Sequence, residues 1–80
     1  MTLILPVKGI SPAIGEQCYL APNATIVGDV QIGKHCSIWF NAVIRGDVNF
    51  IRIGDCTNIR DGAVIQCTYL IGSTIIGNDV

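Results

Sequence analysis

Charge is scarce in this sequence: of 80 residues, 5 are Lys or Arg and 6 are Asp or Glu, for a net charge of -1. With no basic patch there is no electrostatic footprint for nucleic acid or anionic lipid, so neither a polyanion nor a membrane is an expected partner. A disordered composition is equally missing, because 50% of the residues are hydrophobic and 14% are charged. Long apolar runs are absent too; nothing approaches the about 20 residues of a membrane span. The opening MTLILPVKG lacks the basic start, long apolar middle and small-residue cleavage site of a signal peptide, which makes the cytoplasm the expected location. Cysteine is limited to Cys18, Cys36, Cys56 and Cys67, without paired metal-ligand spacing or an export signal, so buried thiols are expected rather than disulfides or a metal cluster.

Helix formers are also few, and what replaces them is branched at Cβ: 14 Ile and 7 Val stand against 4 Leu, with 9 Gly. Such side chains favour strands. A branched aliphatic falls at every sixth residue through Ile14, Leu20, Ile26, Ile32, Ile38 and Ile44, and after a three-residue slip at Ile53, Ile59, Ile65 and Ile71. Six is neither the helical nor the strand period; it fits a coil in which each hexad supplies a short strand and a corner.

The residue four places on runs Cys18, Ala24, Val30, then Cys36, Ala42, Val48, and Gly15 with Gly33, Asn23 with Asn41, Gly28-Asp29 with Gly46-Asp47 and Gly54 with Gly72 share the same 18-residue interval. Three hexads therefore close one rung of a triangular parallel β-helix, with neighbouring rungs about 4.8 Å apart. Residues 1–13 are expected to form an N-terminal arm or strand, and 14–80 to form about 3.7 rungs with no C-terminal helix. The slip at 48–52 predicts a bulge pushed outward, a usual place for function.

Stacking converts sequence into columns. Val27, Arg45 and Gln66 fall in one, and Ala21, Trp39 and Arg60 in another, both expected at corners facing away from the core. The polar cluster is thus Arg45-Gly46-Asp47 beneath Asn58, Arg60, Asp61 and Gln66. A guanidinium pairs bidentately with carboxylate, so Arg45 is expected to meet Asp47 or Asp61, orienting a site or welding rungs or subunits. His35, the sole histidine, neighbours Cys36; adjacent residues on a strand face opposite ways, so the pair is expected not to share a metal. Trp39 and Phe40 are expected to pack at the bulge or at an interface.

The segments Leu20-Ala21-Pro22-Asn23-Ala24-Thr25, Ser37-Ile38-Trp39-Phe40-Asn41-Ala42-Val43-Ile44-Arg45-Gly46-Asp47 and Asn58-Ile59-Arg60-Asp61-Gly62-Ala63-Val64-Ile65 resemble the N-terminal half of γ-class carbonic-anhydrase-like hexapeptide-repeat proteins. The Arg-Gly-Asp following an Ile-Trp-Phe-Asn hexad distinguishes that group from hexapeptide acyltransferases. The resemblance implies an all-β, left-handed parallel β-helix assembling as a homotrimer. It also implies reversible hydration of carbon dioxide to bicarbonate at an intersubunit zinc, or iron or cobalt, held by three histidines, where the metal acidifies a bound water.

Carried onto this chain, the resemblance assigns Arg45, Asp47, Asp61 and Asn58 to the catalytic network, puts Arg60 at the family's glutamine position and puts Gln66 at that of its first metal histidine. A carboxamide is a poor substitute for imidazole on zinc. No histidine follows Gln66 before Val80. The expectation is a metal-site-deficient fragment or degenerate member that binds no metal. The alternatives are a non-catalytic trimeric assembly subunit and an acyl-CoA-dependent transferase.

Overall fold

In the computed structural model, residues 1–66 and 74–80 are described. They form nine strands: β1 Leu3–Leu5, β2 Ala13–Ile14, β3 Tyr19–Leu20, β4 Thr25–Ile32, β5 Ser37–Ile38, β6 Val43–Ile53, β7 Asn58–Ile59, β8 Val64–Gln66 and β9 Thr74–Ile76. All their pairings are parallel. One sheet runs β1-β4-β6-β8, with β2 on β4 and β9 on β6, and the other runs β3-β5-β7. Together they wind a β-solenoid of about 3 turns with no helix among the described residues.

Register follows the repeat. Ile26 pairs with Ile44 and Ile44 with Ile65, while Ile38 pairs with Ile59, so each hexad aliphatic lies over its predecessor. Ile26, Ile38 and Ile44 are fully buried. The leading segment joins the same ladder: β1 lies parallel to β4, with Ile4 beside Ile26.

The small inward residues form a second column with a polar habit. Cys18 Sγ donates to the Gly33 carbonyl at 3.1 Å, Cys36 Sγ to that of Gly54 at 3.1 Å and Thr57 Oγ1 to that of Gly77 at 2.8 Å. Each thiol or hydroxyl thus satisfies a carbonyl on the next rung. Burial pushes the Cys36 thiol up from its ordinary pKa. Gly15, Gly33 and Gly54 at this corner admit no side chain; a Cβ on Gly33, for instance, would stand 2.8 Å from the backbone of Gly54 and of Asp55.

Several sequence expectations are revised. The register jumps between Gly28 and Val30, so Ile51 pairs with Val30 and is buried, whereas Val48, assigned to the inward series, is exposed. The slip is an outward bulge, as expected. A second insertion follows: Ile53 pairs with Ile76, and a Cβ on Gly54 would meet Gly77, so Gly77 rather than Gly72 stacks on Gly54. Ile71, Gly72 and Cys67 themselves lie outside the described residues. Ala21, expected to face outward, is fully buried, and Thr2 Oγ1 donates to its carbonyl at 2.8 Å. Cys56, expected to be buried, is exposed. It shares a left-handed corner position with Gln17, His35 and Asp79, at φ 58° beside 57°, 59° and 57°.

Candidate functional site

The third face of the coil carries the site's first group. Along β6 the side chains alternate, so Ile44 enters the core while Arg45 and Asp47 stand outside it. Rung stacking puts Gln66 beside Arg45. The guanidinium bridges them: Nη2 donates to Asp47 Oδ2 at 3.0 Å, Nε to the same oxygen at 3.3 Å, and Nη1 to Gln66 Oε1 at 3.1 Å. Arg45 therefore pairs with Asp47, one of the two expected carboxylates, and links two rungs of one chain.

The hydrogen bond from Arg45 holds the Asp47 carboxyl below its ordinary pKa. A carboxylate depressed in the folded state adds stability above its unfolded pKa of about 3.9, and that contribution disappears as pH falls through the folded value. With the Arg45 side chain 46% exposed, the contribution is under about 1 kcal/mol. Urea midpoints for the wild type and Asp47→Asn are expected to differ near pH 7 and to converge below about pH 4; parallel profiles would exclude the coupling.

Asn58, Arg60 and Asp61 form a separate group. β7 stacks on β5, which sets Arg60 above Trp39, and these residues with Phe40 line an open hollow of about 380 Å³. Within one chain Arg45 is not paired with Asp61, and neither Arg60 nor Asp61 forms an ion pair with another described residue. Tyr19, Trp39 and Phe40 form a run of tilted rings along this face, with centroids 5.0 and 6.3 Å apart. His35, at its corner, is exposed and has its own backbone N–H bonded to the Glu16 carbonyl at 3.0 Å.

Sequence reasoning missed Arg52. Its Nη1 pairs with Asp29 Oδ1 at 3.0 Å and with the Asp29 carbonyl at 3.2 Å, and its guanidinium lies 4.6 Å from the centre of the Phe50 ring. This pin fixes the bulge that begins at Asp47. The repeated Gly-Asp pairs were the available signal, since Asp29 sits one rung below that bulge.

At Gln66 the residue present does not suit a divalent metal of the family's kind. No group of three His, Cys, Asp or Glu able to hold a metal occurs among the described residues. The oxygen of Gln66 already accepts from a cation. A dication there would face a guanidinium instead of an anionic or imidazole donor.

The bacterial transferase hexapeptide (six repeats) family matches residues 11–46. Gamma carbonic anhydrase 2, mitochondrial, of Arabidopsis thaliana is 44% identical over 75 residues, which cover 88% of this chain and 27% of that protein. A carbonic anhydrase of Geobacillus kaustophilus is 48% identical over 64 residues, 80% of this chain and 35% of that protein. The crystal structure of a hexapeptide transferase family protein from Anaplasma phagocytophilum superposes with a TM-score of 0.87 at 42% identity, over 95% of this chain and 43% of that one. The chain thus spans between 27 and 43% of the length of these relatives. The stacked hexads, the β-solenoid and the relatives together assign the chain to the γ-carbonic-anhydrase-like hexapeptide-repeat family.

Proposed function

We propose that this chain supplies the scaffold and the Arg45–Asp47 portion of a γ-carbonic-anhydrase-like site but holds no metal at Gln66, and so does not hydrate carbon dioxide by itself. The observation that carries the reading is the 3.1 Å bond from Arg45 Nη1 to Gln66 Oε1, which sets a cation against the amide oxygen where the family resemblance calls for an imidazole. What the residues do instead is fix a guanidinium. Asp47 and Gln66 set its plane, and the second N–H on each terminal nitrogen stays available to a small anion such as bicarbonate.

Stopped-flow hydration of carbon dioxide by the purified chain with added zinc is expected to match zinc in buffer alone, and calorimetric titration with zinc is expected to give no stoichiometric heat. Zinc-dependent turnover, or one tightly bound zinc per chain, would overturn the reading.

An assembly role is the second reading, and surface composition favours it. Leu3, Leu5, Phe40, Val64 and Ile75 are 49, 45, 41, 60 and 74% exposed. Large apolar side chains left open on a small solenoid favour association with further copies, and the family resemblance makes that association a homotrimer.

A further inference from the structure

We propose that the stacked thiols of Cys18 and Cys36 bind one copper(I) ion, held in linear coordination between their two sulfurs. These residues precede the paired strands β3 and β5, and the Tyr19 N–H donates to the Cys36 carbonyl at 2.9 Å, so they share one column on successive rungs. Their sulfurs follow the same step. Cys18 Sγ lies 3.1 Å from the Gly33 carbonyl oxygen and 3.8 Å from that of Glu16, and Cys36 Sγ lies 3.1 and 3.7 Å from the equivalent oxygens of Gly54 and Lys34. Matching contacts mean matching rotamers, which sets the two sulfurs one rung apart, about 4.8 Å. That is close to two metal–thiolate bonds of about 2.3 Å laid end to end.

Soft sulfur ligands select copper(I). Zinc instead requires four donors in a tetrahedron, and what adjoins this pair is the Thr57 hydroxyl, already committed to the Gly77 carbonyl, and the aliphatic core. Binding exchanges protons for metal without a change of oxidation state. Each S–H releases its proton to solvent, two sulfur–copper bonds form, and the occupied site carries one negative charge. Burial opposes that charge at Cys36, and hydrogen bonding from the backbone of Thr57 and of Cys56 favours it. Both sulfurs face the core, and Thr57 follows Cys36 in the same column, so the site is complete within one chain. The proposal does not depend on the reading of Gln66.

Thr57 supplies the control, because it fills the same column position with a hydroxyl that donates to the carbonyl of the next rung. Cys18→Thr and Cys36→Thr are therefore expected to keep the far-ultraviolet circular dichroism of the wild type. Without oxygen, the reduced chain is expected to take one copper(I) per chain from its bicinchoninate complex, and X-ray absorption at the copper edge is expected to show two sulfur neighbours in a linear array. Each threonine variant is expected to lose that copper. The double variant Cys56→Ser, Cys67→Ser, which removes the other two thiols, is expected to retain it. The proposal is overturned if either threonine variant takes up copper(I) as fully as the wild type, if the double variant fails to, or if the bound copper has three or more sulfur neighbours. None of these results bears on zinc-dependent hydration.

Discussion

Gly28→Ala is expected to destabilise the fold by about 2–5 kcal/mol, from two separable causes. Gly28 has φ +80°, in the left-handed region, where a Cβ costs about 1–2 kcal/mol. The new Cβ would also collide with the Gly46 carbonyl oxygen and stand 2.8 Å from its carbon, in the middle of the β4–β6 ladder. Backbone cannot rotate away as a side chain does, so the rungs must separate, at a further cost of about 1–3 kcal/mol. Gly62→Ala is the matched control: φ is +71° there, but nothing lies within 4 Å of the added atom. That variant is expected to lose only the conformational part, about 1 kcal/mol. In thermal melts the two should differ by roughly 10 °C in a domain of this size. Equal melting temperatures would show that the rungs give way without cost.

Ile44→Ala is expected to be comparably damaging, at about 2–5 kcal/mol. The side chain is fully buried, with Ile26 on one neighbouring rung and Ile65 on the other. Removing it leaves a void that these fixed neighbours cannot fill, so the cavity cost adds to the lost transfer energy. Ile4→Ala, one rung further down the same column but 41% exposed, is expected to lose under about 1 kcal/mol. Urea unfolding of both variants should show shifted midpoints at unchanged slope. A loss at Ile44 no greater than at Ile4 would contradict a continuous core column.

The periodic part of this architecture is written plainly in the residues. Ile26, Ile38, Ile44, Ile53 and Ile59 recur in phase because every rung must present an aliphatic at the same point of a narrow triangular core, and all five are buried. Arg45 and Gln66 met as the column arithmetic required, because parallel in-register stacking turns a fixed interval into contact. Departures came where the interval changes. An aliphatic at Ile71 continues the count past Ile65, yet the strand partner of Ile53 is Ile76, so a hydrophobic residue that happened to be in phase hid the second insertion. Val48 was misplaced for a similar reason, since the repeat alone does not say on which side of a slip the inward position resumes. The left-handed corner at Gln17, His35 and Cys56 was invisible because none of these residues carries the glycine that usually marks such a conformation.

The strand register also has a kinetic consequence. Ile26 lies 18 residues from its partner Ile44, Ile44 lies 21 from Ile65, and Ile53 lies 23 from Ile76. Closure entropy grows only with the logarithm of loop length, so successive rungs differ in this cost by only about 0.2 kcal/mol. No pairing among these strands awaits a distant segment. A chain emerging from the ribosome can lay down each rung on the one before it once about twenty further residues are available. The fold grows by templated addition from the N-terminal end, and the latest rung at any moment is the surface on which the next one forms.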